Sequence, residues 1–276
     1  MPVLLLTFPA IDPVLFAVGP VKIHWYGLAY VAGLIGGWLL ARRIAGRDDL
    51  WGGAPRPSPD SLDDLLFYAA IGVVVGGRLF NVLFYGLRDY LADPWQVFAV
   101  WNGGMAFHGG LIGVVVAVIV FARRTGQSLL AVADVVATVA PVGLFFGRIA
   151  NFIKPELWGR PADVPWAMVF PGAGPAPRHP SQLYEAGLEG LALFAVLMAC
   201  AHAGGLRRPG LATGLFFAGY GLARSVCELF REPDPDTEAL AHGLTMGIAL
   251  SIPLVVIGAA LILHALRARP ARERAA

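Results

Sequence analysis

The apolar residues of this chain come in runs too long for a soluble fold. The hydrocarbon core of a bilayer takes about twenty helical residues to cross. Runs of that order extend from about Val21 to Leu40, Leu62 to Tyr85, Leu129 to Phe146, Leu183 to His202, Leu211 to Phe230 and His242 to Leu266. A shorter one covers His108 to Phe121. Charge, Pro or Gly bounds each run. Only 14% of residues are charged, 57% are hydrophobic and the mean hydropathy is +0.65, values that belong to a polytopic membrane protein. The expected fold class is therefore all-α and polytopic, with about seven transmembrane helices in one membrane domain over residues 1–276.

The connections carry the polar residues. Gly46 to Asp60 reads as a loop. Residues 86–107, with Trp95 and Trp101, suit a membrane interface, where amphipathic aromatics collect. Residues 152–182 are rich in Pro and too few for an independent domain, so they read as a small cap over the spans. Basic residues choose the side. Arg42, Arg43, Arg47, Arg56, Arg123, Arg124, Arg207, Arg208, Arg267, Arg269, Arg272 and Arg274 fall on one set of connections, and six others on the opposite set. This puts the C-terminus in the cytoplasm and the N-terminus outside, with both the 86–107 connection and the 152–182 cap extracytoplasmic. The first twenty residues hold no Lys or Arg, so no cleaved signal peptide is expected.

Several classes lose weight. A net charge of +2 with no basic-aromatic surface gives no reason to expect a nucleic-acid partner. Cys200 and Cys227 both lie in apolar runs, and no Cys or His cluster has metal-ligand spacing, so neither metal nor cofactor is expected. No G-x-S-x-G elbow, H-E-x-x-H pair, Walker loop or dinucleotide fingerprint occurs.

Three constellations remain. In G-R-I-A-N-F-I-K-P-E-L-W-G, Gly147 to Gly159, Arg148 and Asn151 are one helical turn apart and Glu156 follows Pro155, which ends or kinks the helix. In H-G-G-L-I-G, His108 to Gly113, glycines let backbone or lipid approach the imidazole. In G-Y-G-L-A-R-S-V-C-E, Gly219 to Glu228, Tyr220, Arg224 and Glu228 share one face. Two readings stand for each arginine. Either it is neutralised nearby, Arg148 by Glu156 and Arg224 by Glu228, or it binds a ligand. Two near-membrane guanidinium groups together favour phosphate, and at that depth a phospholipid headgroup.

These blocks, with H-W-Y-G at 24–27, R-H-P-S-Q-L-Y-E at 178–185 and E-L-F-R-E-P-D at 228–234, resemble those of the bacterial prolipoprotein diacylglyceryl transferases, in family order. The resemblance implies transfer of the diacylglyceryl group of phosphatidylglycerol to the lipobox cysteine thiol of a prolipoprotein, releasing glycerol phosphate. The implied partners are that lipid, lipobox signal peptides and membrane lipids, and the implied state is a monomer in the bacterial inner membrane. The catalytic set implied is His108, Arg148, Arg224 and Tyr220. The substrate-binding set is Arg148, Asn151, Tyr26, Glu156, Gly159 and Glu228. Two departures are visible: Lys154-Pro155 replaces an expected Asn-Gly before Glu156, and Ile248 follows Met246-Gly247 where Gln is expected. Displacement at a saturated carbon needs a thiolate and a held phosphate charge. The thiol proton goes to His108, with an imidazole pKa of about 6.5 against about 8.5 for a thiol, or an arginine lowers the thiol pKa directly. A lipid flippase using the same arginines is the rival, and it would be marked by the inverted repeats absent here.

Overall fold

Every apolar run contains a long helix, but several helix ends differ from the run ends. The structure, a computed structural model, describes residues 6–9, 11–19, 21–100, 103–232 and 245–268; of Val18, Val21, Phe107, His108 and Met246 only the backbone is described. In chain order the long helices are α1 Trp25–Ala45, α2 Ser61–Phe84, α3 Phe107–Thr125, α4 Leu129–Ile153, α5 Ser181–His202, α6 Leu211–Glu228 and α7 Met246–Arg267. The chain is mostly helical, and α1, α2, α4, α5 and α7 are long and apolar enough to cross a membrane. The 18 residues of α6 lie outside that set; they include Thr213, Tyr220, Arg224, Ser225 and Glu228. Trp101, residues 242–244 of the seventh run, and Arg269, Arg272 and Arg274 lie outside the described residues.

The first run does not begin as helix. β2 (Val14–Val18) and β3 (Val21–His24) pair as an antiparallel hairpin, with Gly19 at φ 59° after β2. The β-branched Val21 and Ile23 fit a pleated surface, and α1 starts four residues later than the run. β1 (Leu6–Thr7) pairs in parallel with β4 (Met168–Val169), tying the N-terminal segment to the 152–182 cap. An all-α architecture is thus corrected by two short ribbons. Phe8 completes the tie, with its ring centroid 5.2 Å from Phe152 and 5.5 Å from the buried Phe170.

Helix ends also shift. α1 includes Arg42 and Arg43 in its last turn, and α3 runs on to Thr125. α4 continues seven residues beyond Phe146, so Arg148 and Asn151 sit inside a helix rather than at its mouth. Pro155 still marks its limit, as the residue before a proline is pushed out of the helical region. α6 is fixed at its start by a buried carboxylate from α4: Gly210 N (2.7 Å), Thr213 N (2.8 Å) and Thr213 Oγ1 (2.6 Å) all donate to Asp134. A carboxylate at a helix N-terminus meets both its free N–H groups and its dipole. This aligns α6, and with it Arg224, against α4.

α2 and α3 pack backbone to backbone. A Cβ built on Gly113 would overlap the Gly72 carbonyl, and one on Gly76 the Gly109 carbonyl. Small residues at that spacing let two apolar helices approach this closely. Gly113→Val is therefore expected to destabilise the protein by about 1–3 kcal/mol, the usual range for overpacking. Thermal unfolding in detergent checks this; an unchanged midpoint would show that the helices separate freely.

The connection after α2 is held by one side chain. Buried Arg78 donates to the carbonyls of Gln96, Val97, Ala99, Gly103 and Gly104 and lies over the Tyr90 ring at 5.0 Å. Ala106 N donates to Gly77 O at 3.0 Å. Together these bonds deliver the chain to Phe107 and the first turn of α3.

Candidate functional site

Ionisable residues inside apolar helices are costly unless they meet each other or a ligand. Here they meet each other. Arg148 on α4 donates through Nε (3.2 Å) and Nη2 (3.0 Å) to Glu189 Oε2, and its Nη1 lies 3.2 Å from Glu185 Oε2. Arg224 on α6 reaches Glu185 Oε1 (3.2 Å) and Glu228 Oε2 (2.6 Å). Arg231, just past α6, reaches Glu185 Oε1 at 3.3 Å. Glu185 and Glu189 are wholly buried, whereas the Arg148 and Arg224 side chains each retain 16% exposure. One carboxylate thus gathers three guanidinium groups from two helices and a loop.

Local backbone explains the convergence. Glu185 and Glu189 are four residues apart on α5, and Ala186–Ala192 within it is wound as a π-helix, a form often met at functional sites. Gly190 lets this segment touch Phe145 of α4, whose Cβ would lie 2.8 Å from an added methyl group. Tyr220, one turn before Arg224, stacks on Phe216 (5.9 Å, 17°) and lies in the electrostatic field of Arg148.

Asn151 stands one turn beyond Arg148 and donates Nδ2 to Glu156 Oε1 at 2.8 Å. The reading of Arg148 as neutralised by Glu156 is corrected: Glu156 pairs instead with Lys154 Nζ at 2.7 Å. Lys154-Pro155 does not carry Glu156 away. Leu157 takes a left-handed conformation (φ 59°) that turns the chain, Glu156 N donates to Asn151 O (3.1 Å), and Gln182 Nε2 donates to Glu156 O (2.7 Å). A non-glycine residue in that region stores strain, which the surrounding bonds must hold. Lys154 Nζ also sits 5.3 Å from the Tyr26 ring centroid, and Tyr26 shares a hydroxyl contact with Tyr30 at 3.2 Å. Tyr26, Lys154, Glu156 and Asn151 therefore form a chain of contacts that ends one helical turn from Arg148.

Gly159 is a packing position. An added Cβ would lie 2.5 Å from Phe230 O and 2.6 Å from His179 O, and Gly159 bridges to Arg231 in antiparallel fashion. The cap thereby touches the segment carrying Arg231. Partial burial holds the His179 imidazole of that cap below its usual pKa. Glu228 faces α7: a Cβ on Gly247 would lie 2.5 Å from its carboxylate. The pairing of Arg224 with Glu228 expected from their spacing is present, but Arg224 also shares Glu185. His108 stands in the first turn of α3, and its side chain lies outside the described residues.

Sequence reasoning missed Glu185, Glu189 and Arg231. A usable signal existed, since two carboxylates inside the apolar run 183–202 and its margin demand cationic partners.

Residues 13–264 match the family model of the prolipoprotein diacylglyceryl transferases. The chain is 58% identical over 262 residues to the phosphatidylglycerol–prolipoprotein diacylglyceryl transferase of Methylocella silvestris, covering 95% of this chain and 96% of that one. It is 54% identical to the enzyme of that name from Nitrobacter winogradskyi (94% and 90% covered) and 52% to that from Agrobacterium fabrum (98% and 97%). A match of this extent and a cluster of arginines and glutamates built from the same blocks lead to one conclusion: the chain belongs to the prolipoprotein diacylglyceryl transferase family.

Proposed function

We propose that this protein transfers the diacylglyceryl group of phosphatidylglycerol to the lipobox cysteine of prolipoproteins, with Arg148 and Arg224 clamping the phosphate. One observation carries the site assignment. The two oxygens of Glu185 bridge Arg148 and Arg224, each at 3.2 Å. A phosphodiester offers two anionic oxygens in the same forked arrangement, so the carboxylate holds the arginines at a separation that a phosphate matches. Asn151 and Tyr220 add hydrogen bonds, and Tyr26, Glu156 and Glu228 order the surroundings. Gly159 acts by letting the cap close on Arg231.

In the reaction the thiolate sulfur attacks the diacylglyceryl carbon that carries the phosphate ester. The S–C bond forms, the C–O bond to phosphorus breaks, and the electron pair leaves with glycerol phosphate. The guanidinium groups hold the charge that accumulates on that leaving group. The thiol proton passes to His108, or an arginine lowers the thiol pKa and the proton leaves to water. The reading further takes all seven helices as spans of a monomer in the inner membrane, with the N-terminus and the cap outside and the C-terminus inside. The skew of basic residues supports that orientation.

Purified protein, phosphatidylglycerol and a lipobox peptide together should yield a peptide heavier by one diacylglyceryl group, read by mass spectrometry. An unmodified peptide would reject the activity. Arg148→Lys keeps the charge but loses the fork that now meets two carboxylates. It should lower turnover by about 10- to 100-fold, the equivalent of one charge-assisted hydrogen bond. A rate near wild type would show that charge alone suffices at this position.

A further inference from the structure

An apolar groove lies between α2 and α3, away from the clamp. We propose that the membrane-facing groove between α2 and α3 binds a two-chain anionic phospholipid, its acyl chains along the groove and its phosphate on Arg124. The glycine contacts that bring the helices together leave this groove above them, with a volume of about 640 Å³, within the range of about 300–1,000 Å³ usual for ligand sites. Its lining runs from Phe67 to Phe84 along α2, roughly 25 Å at the helical rise, which is most of a hydrocarbon core. The wall on α3 is apolar, with Ile112 and Val116 each more than half exposed.

One end of the groove is cationic. Arg124 lines it from the last turn of α3, and Tyr68 of α2 lies beside it, with its hydroxyl 3.5 Å from Arg124 Nη1. Residues 126–128 join α3 to α4 at this end, so it is the end opposite Arg148. Three other arginines of that end are paired with carboxylates: Arg42 with Asp60 and Asp63, Arg47 with Asp49, and Arg56 with Asp48. Among the described residues no carboxylate pairs with Arg124. A long apolar trough ending in an arginine and a hydroxyl has the polarity of a phospholipid.

The same charge disfavours the other occupants. A second copy related by an axis along the membrane normal would bring Arg123 and Arg124 against their own counterparts. A membrane helix flanked by Lys or Arg on that side would meet the same repulsion. An anionic headgroup gains from it. The proposal uses none of the residues assigned to the clamp.

The test is native mass spectrometry of the full chain titrated with dioleoylphosphatidic acid or with dioleoylglycerol, which has the same chains and no phosphate. Arg124→Gln should weaken one phosphatidic acid site about tenfold and leave dioleoylglycerol binding unchanged. Val116→Trp, which fills the groove, should weaken both, and the double variant should lose no further phosphatidic acid. Unfolding midpoints kept at the wild-type value exclude misfolding as the cause. Unchanged phosphatidic acid binding in either single variant would overturn the proposal. So would a wild-type dimer that Val116→Trp splits, since the groove would then hold a second copy.

Discussion

Glu185→Leu is expected to destabilise the protein by about 3–5 kcal/mol, the cost of removing one partner from a buried ion network. The residue is wholly buried and contacts Arg148, Arg224 and Arg231. Its loss takes from three guanidinium groups the one carboxylate they share. A domain of this size would lose roughly 6–20 °C of its unfolding midpoint. Transferase activity should vanish as well, because the same carboxylate sets the clamp separation. The contrast is Asp49→Ala, which breaks the exposed pair with Arg47 and should leave the midpoint in place. Thermal unfolding of both variants in one detergent makes the comparison. Equal midpoints for Glu185→Leu and wild type would mean that the arginines are neutralised elsewhere.

The helices were legible in the sequence because burial in lipid requires long continuous apolar runs, and these stand out without any partner information. Their ends were less so. Val21 to His24 stand at the head of the first run, yet with Ile23 β-branched they pair as a strand rather than extend α1. α4 outruns its apolar stretch because Arg148 and Asn151 find partners within the protein and need no water. The candidate site was legible as residue types and not as pairs. Spacing along one helix yields Arg224 with Glu228, since both lie on α6. It says nothing of Glu185 and Glu189, whose partners lie 39 and 41 positions away in sequence. Glu156 shows the reverse case. Lys154-Pro155 stands between it and Asn151 in sequence, yet Asn151 still donates to Glu156.

The phosphate clamp requires that Arg224 bind phosphate rather than merely neutralise Glu228. Replacing both, Arg224→Leu with Glu228→Leu, removes a buried pair together, which is often neutral or even stabilising for a fold. Glu185 keeps Arg148 and Arg231 as partners in that variant. The direct measurement is the rate of diacylglyceryl transfer from phosphatidylglycerol to a lipobox peptide by the double variant, with its unfolding midpoint recorded alongside. A midpoint near wild type and no detectable product are expected. A folded double variant that turns over near the wild-type rate would contradict the clamp.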